Sequence, residues 1–266
     1  MILGVIGCGK MAQAILTGIH KQETCPYSVL LVNDIDGNRV RLFANLFQAA
    51  GCDQRDLVRQ SDLVILAVKP SQVGDVLAYT AAAWNPGKIL VSVAAGVKTS
   101  AIQSYLPGGI KIVRTMPNLP ALVGEGIVAV YAAEGTEEED LRQVESLLSG
   151  IGKTVRVEEE KMDAVTAVSG SGPAYVMMVV EAMMEAGVHI GLDWSLARQL
   201  VLTTISGSIA MLEKTGQHPA EIRNQVSSPG GTTIAAIKQL EEQGLRSAFF
   251  NAIEKAYQRS KQLGRE

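Results

Sequence analysis

The chain of 266 residues is 47% hydrophobic and carries a formal net charge of −3. That is length for two ordinary domains and apolar content for a sizeable core; the small negative charge excludes a polyanion-binding surface, so no nucleic-acid partner is expected. Three cysteines without a C-x-x-C pair and three scattered histidines exclude a disulfide framework and a metal site, and fit a reducing, cytoplasmic setting.

The N-terminus is apolar but lacks a basic n-region and runs straight into a glycine turn, so it does not read as a signal peptide. No charge-free apolar run of about 18 residues occurs, and no membrane span is expected. Residues 1–6 (MILGVI) are of strand type and break into Gly7-Cys8-Gly9-Lys10-Met11-Ala12, after which 13–19 carry apolar residues at helical spacing. Strand, glycine turn and helix in that order make G-x-G-x-x-[GA] a dinucleotide fingerprint. Gly7 permits the tight turn, Gly9 lets backbone approach a pyrophosphate, and small Ala12 lets the helix lie on the strand. The helix N-terminus then offers unpaired N–H groups to the phosphates. Read without a ligand, the same residues are a plain βα turn.

Residues 28–32 form a second strand, ending at Asn33-Asp34, with a helix over 37–48. Asp34 follows the fingerprint by about 20 residues, where an acid accepts from the adenine ribose 2′-hydroxyl. As an alternative, Asp34 only opens the turn, and Arg39 and Arg41 blur the choice between the two dinucleotides. The apolar run 63–68 is a third strand ending in Lys69-Pro70; a helix over 71–81, a strand over 89–93 ending in Ala94-Ala95-Gly96, and a strand over 110–114 ending in Thr115-Met116-Pro117-Asn118 follow. Strands over 126–131 and 154–157 flank an acidic helix over 137–148. Uninterrupted apolar strands alternating with helices imply a parallel, doubly wound sheet. Lys69 is either a turn residue or a ligand contact.

From Lys161 the pattern is helical. Ser169-Gly170-Ser171-Gly172-Pro173 reads as a loop opening a helix over 174–186, which is apolar nearly all round and so calls for burial against a second subunit as well as its own chain. Asp193 caps a long helix over 195–214, ended by Gly216, and helices over 219–226, 234–242 and 246–263 follow. Between the helices over 219–226 and 234–242 lies Ser227-Ser228-Pro229-Gly230-Gly231-Thr232-Thr233. Two glycines and two hydroxyl residues before a helix form an anion nest for a small carboxylate, or else a glycine loop with an N-cap.

These motifs resemble those of the pyrroline-5-carboxylate reductase family. The likeness runs over essentially the whole chain. It rests on Ile6-Gly7-Cys8-Gly9-Lys10-Met11-Ala12, Ala67-Val68-Lys69-Pro70, Ala94-Ala95-Gly96, Arg114-Thr115-Met116-Pro117-Asn118, Ser169-Gly170-Ser171-Gly172-Pro173-Ala174-Tyr175, and Val226 through the second glycine motif. The resemblance implies an α/β fold: a doubly wound Rossmann domain over 1–160, then an all-α domain over 161–266 that binds substrate and dimerises. It implies reduction of 1-pyrroline-5-carboxylate to L-proline with NADPH or NADH, in a homodimer from which rings such as a decamer are built. Carried over, the cofactor meets Ile6, Gly7, Cys8, Gly9, Lys10, Met11, Asn33, Asp34, Ala67, Val68, Lys69, Pro70, Ala95 and Gly96. The substrate meets Val226, Ser228, Gly230, Gly231 and Thr232. The catalytic hydroxyl is that of Thr233, and Glu159 aligns with an acid near the substrate. A cyclic iminium needs no strong enzymic acid, so orientation supplies much of the rate.

The chain departs from its relatives at Asp34, where many carry a basic or hydroxyl residue, and at Gln54 and Gln225, where some carry asparagine. Two other functions compete. A β-hydroxyacid dehydrogenase needs a lysine shortly after the glycine loop of its helical domain, and the eight residues after Gly172 contain none. A non-catalytic dinucleotide-binding redox sensor would have no use for the second anion nest.

Overall fold

The computed structural model describes residues 1–23 and 25–263. Eight strands, β1 (Ile2–Ile6), β2 (Val29–Asn33), β3 (Ala50–Gly51), β4 (Leu63–Leu66), β5 (Ile89–Ser92), β6 (Lys111–Met116), β7 (Gly126–Ala132) and β8 (Gly152–Arg156), form one sheet in the order β3-β2-β1-β4-β5-β6-β7-β8. Between them run α1 (Lys10–His20), α2 (Gly37–Phe47), α3 (Gln54–Gln60), α4 (Val73–Thr80), α5 (Thr99–Gln103) and α6 (Glu138–Leu148).

The helices cover both faces, which is why the central strands β1 and β4 are apolar throughout. On one face Leu3, Val5, Ile65 and Val113 pack with Ile15 of α1, Phe43 of α2 and Val144 of α6. On the other, Ile6, Val64, Leu90 and Ile112 pack with Leu57 of α3, Leu77 of α4 and Ile102 of α5. Small residues allow the closest approaches: a Cβ on Gly4 would strike Leu57 and Ser61, and one on Gly18 would strike the backbone of Gly150.

Three features differ from the sequence expectation. First, the sheet is not wholly parallel: β7 runs antiparallel to β6, and β8 is parallel to β7. The nine residues 117–125 between β6 and β7 hold only a 3₁₀ turn, Leu119–Val123, and a parallel crossover needs about a dozen or more. Second, β3, α5 and α3 lie where no element was expected, α3 being the longest of them. Its sequence QRDLVRQ is mostly polar, and it begins because the Asp53 carboxylate accepts the Arg55 N–H at 2.8 Å. Third, the expected loop at Ser169 is helical. After α7 (Met162–Val165) the chain widens into a π turn, Thr166–Gly170, and enters α8 (Gly172–His189) almost directly.

The chain divides into two compact units, one holding Met1–Pro173 and the residues from Ala256 on, the other Ala174–Lys255. The second is all helix: α8, α9 (Trp194–Thr215), α10 (Pro219–Gln225), α11 (Thr232–Glu242) and most of α12 (Leu245–Leu263). Asp193 caps α9 by accepting the Leu196 N–H at 3.0 Å, and Gly216 closes it at φ +63°. The apolar circumference of α8 is mostly presented by the single chain. Val180 and Met184 are buried with Val201, while Val176, Met177 and Met178 stand exposed, Met178 by 69%.

Candidate active site

β1 ends at Ile6 and the chain reverses through Gly7 at φ +97°. The Gly7 N–H donates to Asn33 O at 2.8 Å, and a side chain here would strike the Ala67 carbonyl. Gly7 is therefore required by the protein's own packing. Gly9 is different: a Cβ added there meets nothing within 4 Å. Its bareness opens space above the turn, as expected where a ligand's phosphates come close to backbone. Gly9 caps α1 without a side-chain hydrogen bond, and the first turn of α1 holds no acid. The leading N–H groups thus remain available to an anion.

A cleft of about 380 Å³ lies over this turn. Its walls include Ile6, Gly7, Gly9, Asn33, Asp34, Ala67, Val68 and Lys69, eight of the residues expected to hold a dinucleotide, and also Arg39 and Gln54. Ile35 and Asp36 after β2, and Gln72 and Val76 at α4, complete it; none of the four was among the residues expected at the site. Lys10 and Met11 open α1 beside the cleft, and Pro70 opens the 3₁₀ turn that follows Lys69. Ala95 and Gly96 lie apart from its walls, in the turn after β5, with Gly96 at φ +78°.

The Asp34 carboxylate, only 7% exposed, accepts the Cys8 N–H at 2.7 Å and the Asp36 N–H at 2.9 Å, with Arg39 Nη1 3.8 Å away. One side chain thereby ties the end of β2 to the glycine turn.

Glu159 sits in a second polar cluster. Its Oε1 accepts the Thr99 N–H at 2.7 Å and Arg114 Nη1 at 3.2 Å, and its Oε2 accepts the Thr99 hydroxyl at 2.9 Å. Arg114 is 3% exposed, so its charge is compensated locally, by Glu159 and by Asp163 at 3.9 Å. Asp163 also accepts from Ser260 at 2.7 Å. Thr99 begins α5, three residues after Gly96, so this cluster fixes the turn that carries Ala95 and Gly96.

In the helical unit the 228–231 turn closes by the Gly231 N–H donating to Ser228 O at 3.1 Å. Gly230 stands at φ +69°, and a Cβ on Gly231 would strike the Ser228 hydroxyl, so both positions require glycine. Gly231 caps α11 with no side-chain hydrogen bond, and no acid occupies the first turn. Val226, Ser228, Gly230 and Thr232 are exposed around it, and Gly231 and Thr233 are half-buried. The Thr233 hydroxyl is not engaged as a cap of α11.

Two family models match the chain: pyrroline-5-carboxylate reductase dimerisation over 159–263, and NADP oxidoreductase, coenzyme F420-dependent, over 2–96. A pyrroline-5-carboxylate reductase of Synechocystis sp. is 40% identical over 99% of this chain and 98% of its own. The chain belongs to the pyrroline-5-carboxylate reductase family. Solved structures agree. The pyrroline carboxylate reductase of Plasmodium falciparum, crystallised with NADP bound, superposes with a TM-score of 0.89 at 30% identity, covering 99% of this chain and 98% of its own. The 1-pyrroline-5-carboxylate reductase of Streptococcus pyogenes gives 0.91 at 30% identity, covering 98% of each chain.

Within this pyrroline-5-carboxylate reductase sequence a cysteine occupies the glycine turn. Burial pushes the Cys8 thiol up to about 12, the Asp34 charge adds to the shift, and Arg39 partly opposes it. Its Sγ faces Asn33 O at 3.8 Å. A thiol so shifted and buried holds very little of its reactive thiolate at pH 8. Iodoacetamide at that pH should modify exposed Cys25 and leave Cys8 untouched until the protein is denatured; peptide mass mapping of native and denatured samples checks this.

Proposed function

We propose that the cleft over Gly7 and Gly9 takes NAD(P)H and that the 228–231 turn with Thr233 takes the substrate. The chain is a pyrroline-5-carboxylate reductase: it reduces the C=N bond of 1-pyrroline-5-carboxylate to give L-proline, the last step of proline biosynthesis. The observation that carries this is the 40% identity to the Synechocystis enzyme over the whole of both chains. Residues 1–160 form the dinucleotide-binding part and 161–266 the substrate-binding and dimerisation part. The assay is imine-dependent oxidation of NADH and NADPH at neutral pH; no turnover with either would overturn the reading.

The bound dinucleotide supplies hydride to C5 of the ring. The chain's own residues bind and orient. The glycine turn and the start of α1 hold the pyrophosphate through backbone N–H groups, with Cys8, Lys10 and Met11 flanking and Ala67, Val68, Lys69 and Pro70 forming the opposite wall. Ala95 and Gly96 keep the end of β5 free of bulk, and the Glu159–Thr99 bonds hold that turn in place. The substrate carboxylate is received by N–H groups around Gly230, Gly231 and Thr232, framed by Val226 and Ser228. Thr233 Oγ accepts from the protonated ring nitrogen, whose positive charge disappears as the C–H bond forms and the C=N π pair becomes the amine lone pair.

For localisation we favour the cytoplasm, on three free cysteines. Helix α9 has the length and, at a mean hydropathy of 1.2, the composition to cross a membrane. The dimerisation model covers it, and we assign its apolar surface to a second copy of the chain. The homodimer follows equally from the exposed flank of α8, and assembly of dimers into a ring such as a decamer would bury more. Light scattering at micromolar concentration should therefore give at least twice the 28.3 kDa chain mass, and Met178→Glu should lower it. A monomeric mass with full activity would contradict this.

For cofactor choice, Asp34 would repel a 2′-phosphate and accept from a 2′-hydroxyl, so NADH should be used at least as well as NADPH. Comparing kcat/KM for the two decides it: a tenfold preference for NADPH would mean that Arg39 prevails over Asp34.

For Thr233, valine keeps the shape and removes the hydroxyl. Thr233→Val should lower kcat/KM by about 2–3 kcal/mol, as for a lost hydrogen bond to a charged group. Most of this should appear as a raised KM for the imine, with cofactor affinity and melting temperature nearly unchanged, and Thr232→Val should cost less. A lower melting temperature with unchanged kcat/KM would instead make Thr233 a helix-cap residue.

A further inference from the structure

The motif Ser169-Gly170-Ser171-Gly172-Pro173 has no part in the reaction described above, yet it holds an anomaly. Among the described residues, Ser169 Oγ is the one buried side-chain polar atom, in a residue that is not itself exposed, without a hydrogen-bond partner. A helical hydroxyl ordinarily bonds a carbonyl in the turn before it. Thr166 does so, donating to Met162 O at 2.9 Å. Ser169 lies in the π turn, where the Thr166 carbonyl three residues back is engaged by the Ser171 N–H at 2.9 Å. Single π turns recur at functional sites. An unmet buried hydroxyl is destabilising, and alanine at this position would avoid that cost.

The place of the π turn narrows the ligand. A Cβ on the adjacent Gly170 would reach the Met116 methyl, at the end of β6. Ser169 thus neighbours a residue at the carboxyl edge of the sheet on the β6 side. Asp34 and Arg39, which meet the adenine ribose in the reading above, lie past the end of β2, across β1, β4 and β5 from β6. A dinucleotide bound across the carboxyl edge of such a sheet reaches from the β2 side past β4 with its nicotinamide end. A carboxamide offers one donor group and one acceptor, and a serine hydroxyl can answer either. The substrate's polar groups, by contrast, are already answered at 228–233.

We infer that Ser169 is a cofactor-binding residue whose hydroxyl hydrogen-bonds the nicotinamide carboxamide of bound NAD(P)H. This rests on the reductase reading, and imine-dependent turnover by the wild type tests that reading separately.

The experiment compares wild type with Ser169→Ala, using fluorescence titration with NAD(P)H and with ADP-ribose, which lacks the nicotinamide. The alanine variant should bind NAD(P)H about tenfold more weakly, the scale of one hydrogen bond, and ADP-ribose equally well. Its melting temperature without ligand should be unchanged or raised, because the unpaired hydroxyl is gone. An unchanged Kd for NAD(P)H, an equal loss for both ligands, a lower ligand-free melting temperature, or an effect confined to the KM of the imine would each overturn the inference.

Discussion

Both proposed binding elements depend on helix N-termini whose backbone N–H groups are kept free of side-chain caps. Capping by Ser, Asp or Asn typically adds about 1 kcal/mol. The chain takes that stabilisation at α2, α3 and α9 through Asp36, Asp53 and Asp193; α1 and α11 go without it, as do the shorter α4, α5 and α7. Among these five, α1 and α11 alone have a glycine at the cap, and no acid follows in the first turn of either. An aspartate at Gly9 or Gly231 would satisfy the donors internally and place a negative charge where an anion belongs.

The second dependence is the buried Arg114. A guanidinium at 3% exposure is tolerated because carboxylates surround it, and the same carboxylates bind the chain at distant points: Glu159 to the start of α5, Asp163 to Ser260 of α12. A buried ion cluster is weak evidence of stability but strong evidence of fixed geometry, since any partner that moves leaves a charge uncompensated. Here the fixed element is the turn after β5.

The sequence discloses features that rest on local rules. Gly7 and Gly9 between a strand and a helix, the apolar runs of β1, β4 and β5, and the Asp193 and Gly216 limits of α9 all follow from residues within a few positions of one another. Features decided by distant residues stay hidden. The role of Asp34 as a tie to Cys8 N–H depends on the meeting of two strand ends. Thr99, bonded to Glu159 across 60 positions, carries no motif. The π turn is hidden for a different reason: Ser169 and Gly170 suit a loop as well as a widened helix, and the packing of Gly170 on Met116 decides between them.

The reversal at β7 also divides the surface into two kinds of ground. Strands β1 to β6 point their carboxyl ends to the edge that carries the glycine turn, whereas β7 delivers its end, Ala132, beside Val113 near the start of β6. The connection over 133–137 therefore emerges at the opposite rim, together with the β8 terminus at Arg156, where that side chain is clamped by Glu138 and Glu145. The cleft over the glycine turn lies at one rim of the sheet, so the far rim is where the chain has freedom to accept new sequence, labels or attachments away from that cleft.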